Sequence, residues 1–299
     1  NFVVMDSDQN IGFFYNGRIP SRENAQAARE ILQGNSSKDI WPFNKPIRSL
    51  PTFINPPNGW VQSTNQNPYA VMGEYSSALD PNSPNVYFEQ RLTNRSFVAN
   101  ELLSMNTKIT LDDFIDIKFD HSYSKNSRQY KYLMKLAESN QEIAQKVRPW
   151  NRQTDFNNQH AGYSSCLMAH EWLAEINSQS IPKTKDVLAK CKDWFIKINR
   201  NQTDEWGKIT TISRLGRSYP IQGSVDTLRA VYGTPNAKTN SIDMSGGDGL
   251  FYIIEEGENG RMIYGMHNFG SSRNPESVNY SDQTFLFSKE ALRFVPENL

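Results

Sequence analysis

Two short apolar runs open the chain, FVVM and IGFFY, and flank the turn-prone residues Asp6, Ser7, Asp8, Gln9 and Asn10. That pattern predicts a β-hairpin at the very start. Residues 21–34, SRENAQAAREILQG, carry Ser21 as an N-cap, an Ala-rich turn and Gly34 as a stop, so they read as a short helix. Between residues 40 and 68 prolines recur at positions 42, 46, 51, 56, 57 and 68, which forbids both a regular helix and a central strand. The segment is expected to be an ordered irregular loop, since Trp41, Phe43, Phe53 and Trp60 are too many large aromatics for a disordered one.

Helical periodicity takes over from residue 95. Thr110 and Asp113 have the spacing of a capping box ahead of LDDFIDIKFD. AGYSSCLMAHEWLAEI aligns Cys166, His170, Leu173 and Ile176 on one face, and DVLAKCKDWFIKI aligns Val187, Cys191, Trp194, Phe195 and Ile198. Both cysteines fall on apolar faces and are expected to be buried thiols in helix packing, with a disulfide as the alternative. KITTISRL, GLFYIIEE and GRMIYGMHNF then read as strands, the last two joined by an Asn259–Gly260 turn. The order strand, loop, helices, strands defines an α+β pattern in which both ends can contribute to one sheet. No internal repeat is present.

Composition narrows the function classes. The 32 basic and 32 acidic residues cancel, so no one-signed field would draw the chain to nucleic acid or an anionic membrane. The apolar fraction of 37% is interrupted every few residues, and no window approaches the roughly 20 apolar residues of a membrane span. The two cysteines and four scattered histidines lack the spacing of a structural zinc site. The chain starts at Asn1, with neither an initiator Met nor an export leader, and is therefore expected to be cut from a longer one, its opening hairpin edge paired with a preceding segment or another subunit.

Few stretches carry legible chemistry. SGGDG at 245–249 has glycines but no following helix or Lys, so it reads as a strand-entry turn rather than a phosphate loop. His170 followed by Glu171 is half of a zinc-protease motif without its second His, and a packed helix histidine is the expected reading. The remaining oddity is NPPNGWVQSTNQNP at 55–68, which crowds amide side chains around Trp60. An Asn amide is a neutral donor able to stabilise an oxyanion without protonating it. A proline-stiffened surface loop with Trp60 packed down is the plainer alternative.

That stretch, followed in order by GRSYPIQGSVDTLRAVYG, SGGDGLFYII and FGSSRNPESVNYSDQTFLFS, resembles the corresponding segments of penicillin acylases and acyl-homoserine-lactone acylases over nearly the full length. The tail is the most specific piece, although the family's usual QSGDP reads GSSRNP here and SPHY reads SVNY. The resemblance implies a four-layer αββα N-terminal-nucleophile hydrolase fold, partial here and completed by other chains or segments. Residues 1–299 would form the C-terminal part of a β subunit: strands and the oxyanion loop over 1–94, a mainly helical excursion over 95–207, and returning strands over 208–299. The family's nucleophile, the N-terminal Ser of the β subunit, has no counterpart at Asn1 and would lie in residues outside this chain.

Two site positions carry over: Asn65 as the oxyanion-hole amide and Arg91 as the orienting arginine, the latter across a loop longer than usual. Partners would be the missing N-terminal β segment, an α subunit and a small N-acyl substrate such as an acyl-homoserine lactone, a β-lactam side chain or a lipopeptide. No cofactor is required, a structural calcium is possible from the resemblance, and the expected location is periplasmic or secreted. The competing class is a non-catalytic subunit that uses Trp41, Trp60, Tyr69 and Tyr75 as a carbohydrate- or protein-recognition surface.

Overall fold

The computed structural model describes residues 1–17, 31–32, 34–37, 40, 50–73, 92–105, 108–257 and 260–296. The chain divides into two units, Asn1–Thr107 and Lys108–Leu299. The helix expected over 21–34 falls almost entirely outside the described residues.

In the first unit β1 (Phe2–Met5), β2 (Ile11–Phe14) and β3 (Thr52–Ile54) form an antiparallel sheet in that order. The hairpin is closed as the sequence predicts. Asp6 Oδ1 accepts from the backbone N–H groups of Asp8 and Asn10 at 3.0 and 2.9 Å, while Gln9 takes the left-handed backbone the turn needs. Those bonds hold the exposed Asp6 carboxyl below its ordinary pKa, Asn10 being the largest contributor. Phe13 and Phe53 pair across the sheet and pack with Val71 and Met72 into a small core. Strand β1 contributes nothing to that core, since all four of its residues are exposed. Thr93 then caps α1 (Asn94–Leu103) by accepting from Ser96 N.

The second unit is a helical layer followed by two sheets. Helices α2 (Leu111–Lys118), α3 (Arg128–Ser139), α4 (Gln141–Val147), α5 (Ala161–Ile176), α6 (Thr184–Lys197) and α7 (Trp206–Ile209) precede the strands. The capping box at the start of α2 is present in both directions, Thr110 to Asp113 and back. Helix α5 is the centre of the unit. Every residue from 161 to 171 is buried, and small side chains make this possible: a Cβ at Gly162 would lie 2.5 Å from Ile209 Cδ1. The one-sided stripe expected here is therefore too narrow, and its last two members, Leu173 and Ile176, are exposed where all-round packing ends.

The two cysteines are joined. Cys166 of α5 and Cys191 of α6 form a disulfide with their Cα atoms 5.8 Å apart, which overturns the reading of two buried thiols. Buried thiols and a bridged pair present the same apolar pattern along each helix, and only the packing of α5 on α6 decides between them.

Strands β4 (Thr210–Arg214), β5 (Arg217–Pro220), β6 (Val231–Asn236) and β7 (Ser241–Gly247) assemble in the order β5-β4-β7-β6, with β4 and β7 parallel. A second sheet pairs β8 (Phe251–Gly257), β9 (Gly260–Met266) and β10 (Arg293–Phe294) around β9. Strands β1 to β3 hydrogen-bond to one another, so among the described residues the two ends of the chain share no sheet, contrary to expectation. Gly247 ends β7 at φ +109°, where a Cβ would meet Ala230 O at 2.2 Å, so SGGDG is a close backbone crossing into β8.

One buried cation joins these parts. Arg229 is fully buried; its guanidinium donates to Glu290 Oε1 at 3.1 Å, Asp248 Oδ2 at 3.1 Å and Phe287 O at 2.7 Å, the last within α8 (Thr284–Ser288). Lys118 at the end of α2 adds a 2.7 Å bond to the same Asp248 oxygen. The rings of Phe287 and Phe119 lie 4.0 and 5.5 Å from the guanidinium carbon. Burial pulls the Lys118 pKa below its ordinary value, opposed by Asp248.

Candidate functional site

The amide-rich loop of the first unit is a lattice of internal bonds. Asn55, at φ +48°, accepts from Ile11 N and donates to Asn10 Oδ1, which fixes the loop to the hairpin. Asn58 donates to Met72 O, and Gln62 donates to Ala70 O and to Asn100 Oδ1 on α1. Gln66 donates to Gln62 O and accepts from Thr64 N at 2.6 Å. Asn67 caps a short 3-10 turn over Pro68–Ala70 by accepting from Tyr69 N. Thr93 ties the loop to the start of α1 through Thr64 O. Prolines remove competing N–H donors, and the amides supply bonds that a regular ladder would otherwise provide.

Asn65 stands apart from this lattice. It is exposed, sits at φ +60°, and its Oδ1 accepts from Arg95 Nη2 at 3.1 Å. A guanidinium can only donate, so the contact fixes which end of the amide faces Arg95. The Nδ2 donor is therefore turned to the other side of the planar group. The result is an exposed, neutral donor on a loop held by its own hydrogen bonds.

Arg91 lies outside the described residues. The arginine that the structure brings to Asn65 is Arg95, one turn along, in the first turn of α1. Both stand in the stretch EQRLTNR, but only the start of α1 tells which way the second points. Trp60 is half-buried and its ring packs over Gly73, where a Cβ would be 3.2 Å from Cη2. Tyr69 is half-buried too, while Trp41 and Tyr75 lie outside the described residues. Trp60 thus packs within the first unit.

His170 is buried on α5 with its ring 5.8 Å from that of Trp194, as a packed helix histidine should be. Among the described residues, the group of acidic, His or Cys side chains placed to hold a metal is Cys166, His170 and Cys191. Soft sulfur and imidazole donors do not fit calcium, which takes oxygen ligands. No described helix is long and apolar enough to cross a membrane.

The described chain is thus mixed α+β, with a proline-stiffened loop that presents one arginine-contacted amide, Asn65. The family model for penicillin amidase matches residues 1–297, and the chain belongs to that family. It is 28% identical over 127 residues to an acyl-homoserine lactone acylase, PvdQ, of Pseudomonas savastanoi pv. phaseolicola, a match covering 42% of this chain and 16% of that protein. Its fold is similar to that of a thermostable penicillin G acylase from Alcaligenes faecalis, with a TM-score of 0.51 at 12% identity over 98% of this chain and 64% of the other. The chain thus spans less than two thirds of either relative.

Proposed function

We propose that this chain is the oxyanion-stabilising part of an amidohydrolase that cleaves an N-acylated small molecule, an acyl-homoserine lactone, a β-lactam side chain or a lipopeptide, through a covalent acyl-enzyme. The observation that carries the reading is the Asn65–Arg95 contact within a chain of the penicillin amidase family. The nucleophile belongs to a segment outside this chain. Its oxygen attacks the amide carbon, the carbonyl electron pair moves to oxygen, and Nδ2 of Asn65 donates to that oxyanion. Collapse returns the pair, breaks the C–N bond and releases the amine, which takes up the proton that the nucleophile's hydroxyl passed to its own chain-terminal amine on attack. Water then attacks the acyl-enzyme past the same donor and frees the acid.

Assembly follows from this division of labour. In this reading the chain is held permanently by the N-terminal β segment and an α subunit, completes the four-layer αββα fold with them, and works after export to the periplasm or beyond. Arg95 acts as a positioning residue for Asn65.

The test is made on the assembled protein isolated from its source. Intact-mass analysis after brief exposure to an N-acyl amide should show the acyl group on the N-terminal Ser of a chain other than this one, with amine released in a burst. Assembled protein that releases no amine and has no Ser, Thr or Cys at a free N-terminus would instead be a binding subunit.

A further inference from the structure

The acylase reading makes no use of the contact between α5 and α6. Cys166 and His170 stand four positions apart on α5 and project from one face, and Cys191 meets them from α6. One ligand atom from each lies within 4.8 Å of the other two, and all three residues are buried. The disulfide accounts for the cysteines, and packing on Trp194 places the His170 ring but leaves one of its nitrogens unsatisfied. Its Nε2 is buried without a hydrogen-bond partner, whereas buried polar atoms in native interiors are nearly always satisfied.

We propose that Cys166, His170 and Cys191 form a binding site for one thiophilic divalent cation, of which zinc is the type, and that the disulfide is the metal-free oxidised state of the same site. A phosphine reductant opens it: the phosphine and one water give the phosphine oxide, and the two electrons and two protons convert the S–S bond into two thiols. Binding of the cation then displaces both thiol protons. A tetrahedral zinc ion with Zn–S of about 2.3 Å and Zn–N of about 2.0 Å keeps its ligand atoms about 3.5–3.8 Å apart. To reach that range the two sulfurs, bonded in the disulfide, separate after reduction while the His170 ligand atom, within 4.8 Å of them, moves in; side-chain rotation accommodates both, since the cysteine Cα atoms are 5.8 Å apart. Three protein ligands leave a fourth position open.

The experiment uses the assembled protein, reduced with a phosphine, freed of it without air, and titrated with cobalt(II) as a spectroscopic substitute for zinc. Expected is one equivalent bound beyond that taken up by the Cys166→Ser/Cys191→Ser double variant. It should carry thiolate-to-cobalt charge-transfer and tetrahedral d–d bands, be displaced by zinc, and be missing from the oxidised protein. His170→Ala keeps both thiols and should weaken cobalt binding by more than the roughly 10–100-fold that loss of an outer-shell partner costs. Zinc should also slow alkylation of Cys166 and Cys191, read by peptide mass. The proposal is overturned if reduced protein with native circular dichroism shows no such bands, if reduction alone unfolds the helices, or if His170→Ala or the double variant binds as the wild type does.

Discussion

Asn65 sits on a backbone that few side chains accept, and this shapes how its role is measured. At φ +60° an Ala is strained by about 1–2 kcal/mol where a Gly is not. Asn65→Gly is therefore the cleaner deletion of the amide: kcat should fall about 10²–10³-fold with KM little changed and the melting temperature held. Asn65→Ala should show the same kinetic loss with a lower melting temperature as well. Asn65→Asp should be at least as damaging as Asn65→Gly, since a carboxylate held by Arg95 faces the developing charge. Equal losses of kcat/KM through KM alone would assign the loop a shaping role. Asn67 is the natural comparison, but Asn67→Ala would lose the cap on Tyr69 N, so Asn67→Ser, which keeps an acceptor, is the silent control. Arg95→Met should lower kcat about 10-fold, the cost of letting one hydrogen-bonded amide turn, and Arg95→Lys should recover part of it. The amide was legible in the sequence because it stands in a motif. Its partner was not, because Arg95 reaches it across thirty positions and the choice between two nearby arginines depends on where α1 begins.

At the level of elements, local signals read well and cross-element ones did not. The Asp6 turn and the Thr110–Asp113 capping box each close within a few residues, so their physics is contained in the stretch that shows them. The face of α5 was misjudged because a helix surrounded on all sides has no single stripe, and the Cys166–Cys191 bridge was read as two thiols because it is a property of two helices together. Helix α5 also buries a carboxyl. Glu171 pairs with Arg128, yet its Oε2 has no partner, and burial raises its pKa against the lowering effect of Arg128. A raised pKa means that the folded state holds the proton more tightly. The group's stabilising contribution is full below the unfolded carboxyl pKa of about 4.3 and is lost as pH rises through the folded value. The melting-temperature difference between Glu171→Gln and wild type should accordingly move in the variant's favour as pH rises from about 4 towards neutrality. A calorimetric difference that is flat, or that moves the other way, would remove burial as the controlling effect.

Across the second unit as a whole, the Arg229 cluster is the contact that joins the most separated parts of the sequence. It reaches the end of α2, the passage from β7 to β8, and α8 with the residues behind it. Arg229→Met leaves Asp248 and Glu290 without their shared cation and should cost about 3–5 kcal/mol, read by chemical denaturation. Arg229→Lys should not restore it, because an ammonium cannot serve three acceptors in the plane of a guanidinium. Nothing in the sequence marks Arg229, a lone basic residue between Leu228 and Ala230, because its acceptors Asp248, Phe287 and Glu290 all arrive from later segments. The burial of this cluster has a consequence for ionic strength. Mobile ions shorten the reach of surface charges to about 3 Å at 1 M salt but do not enter a closed interior. With 32 charges of each sign there is also no net repulsion for salt to relieve. The protein's melting temperature should therefore hardly move between dilute buffer and molar sodium chloride, and a loss of many degrees would mean that its cohesion rests on exposed pairs such as Lys146–Glu142 and Lys208–Glu205 instead.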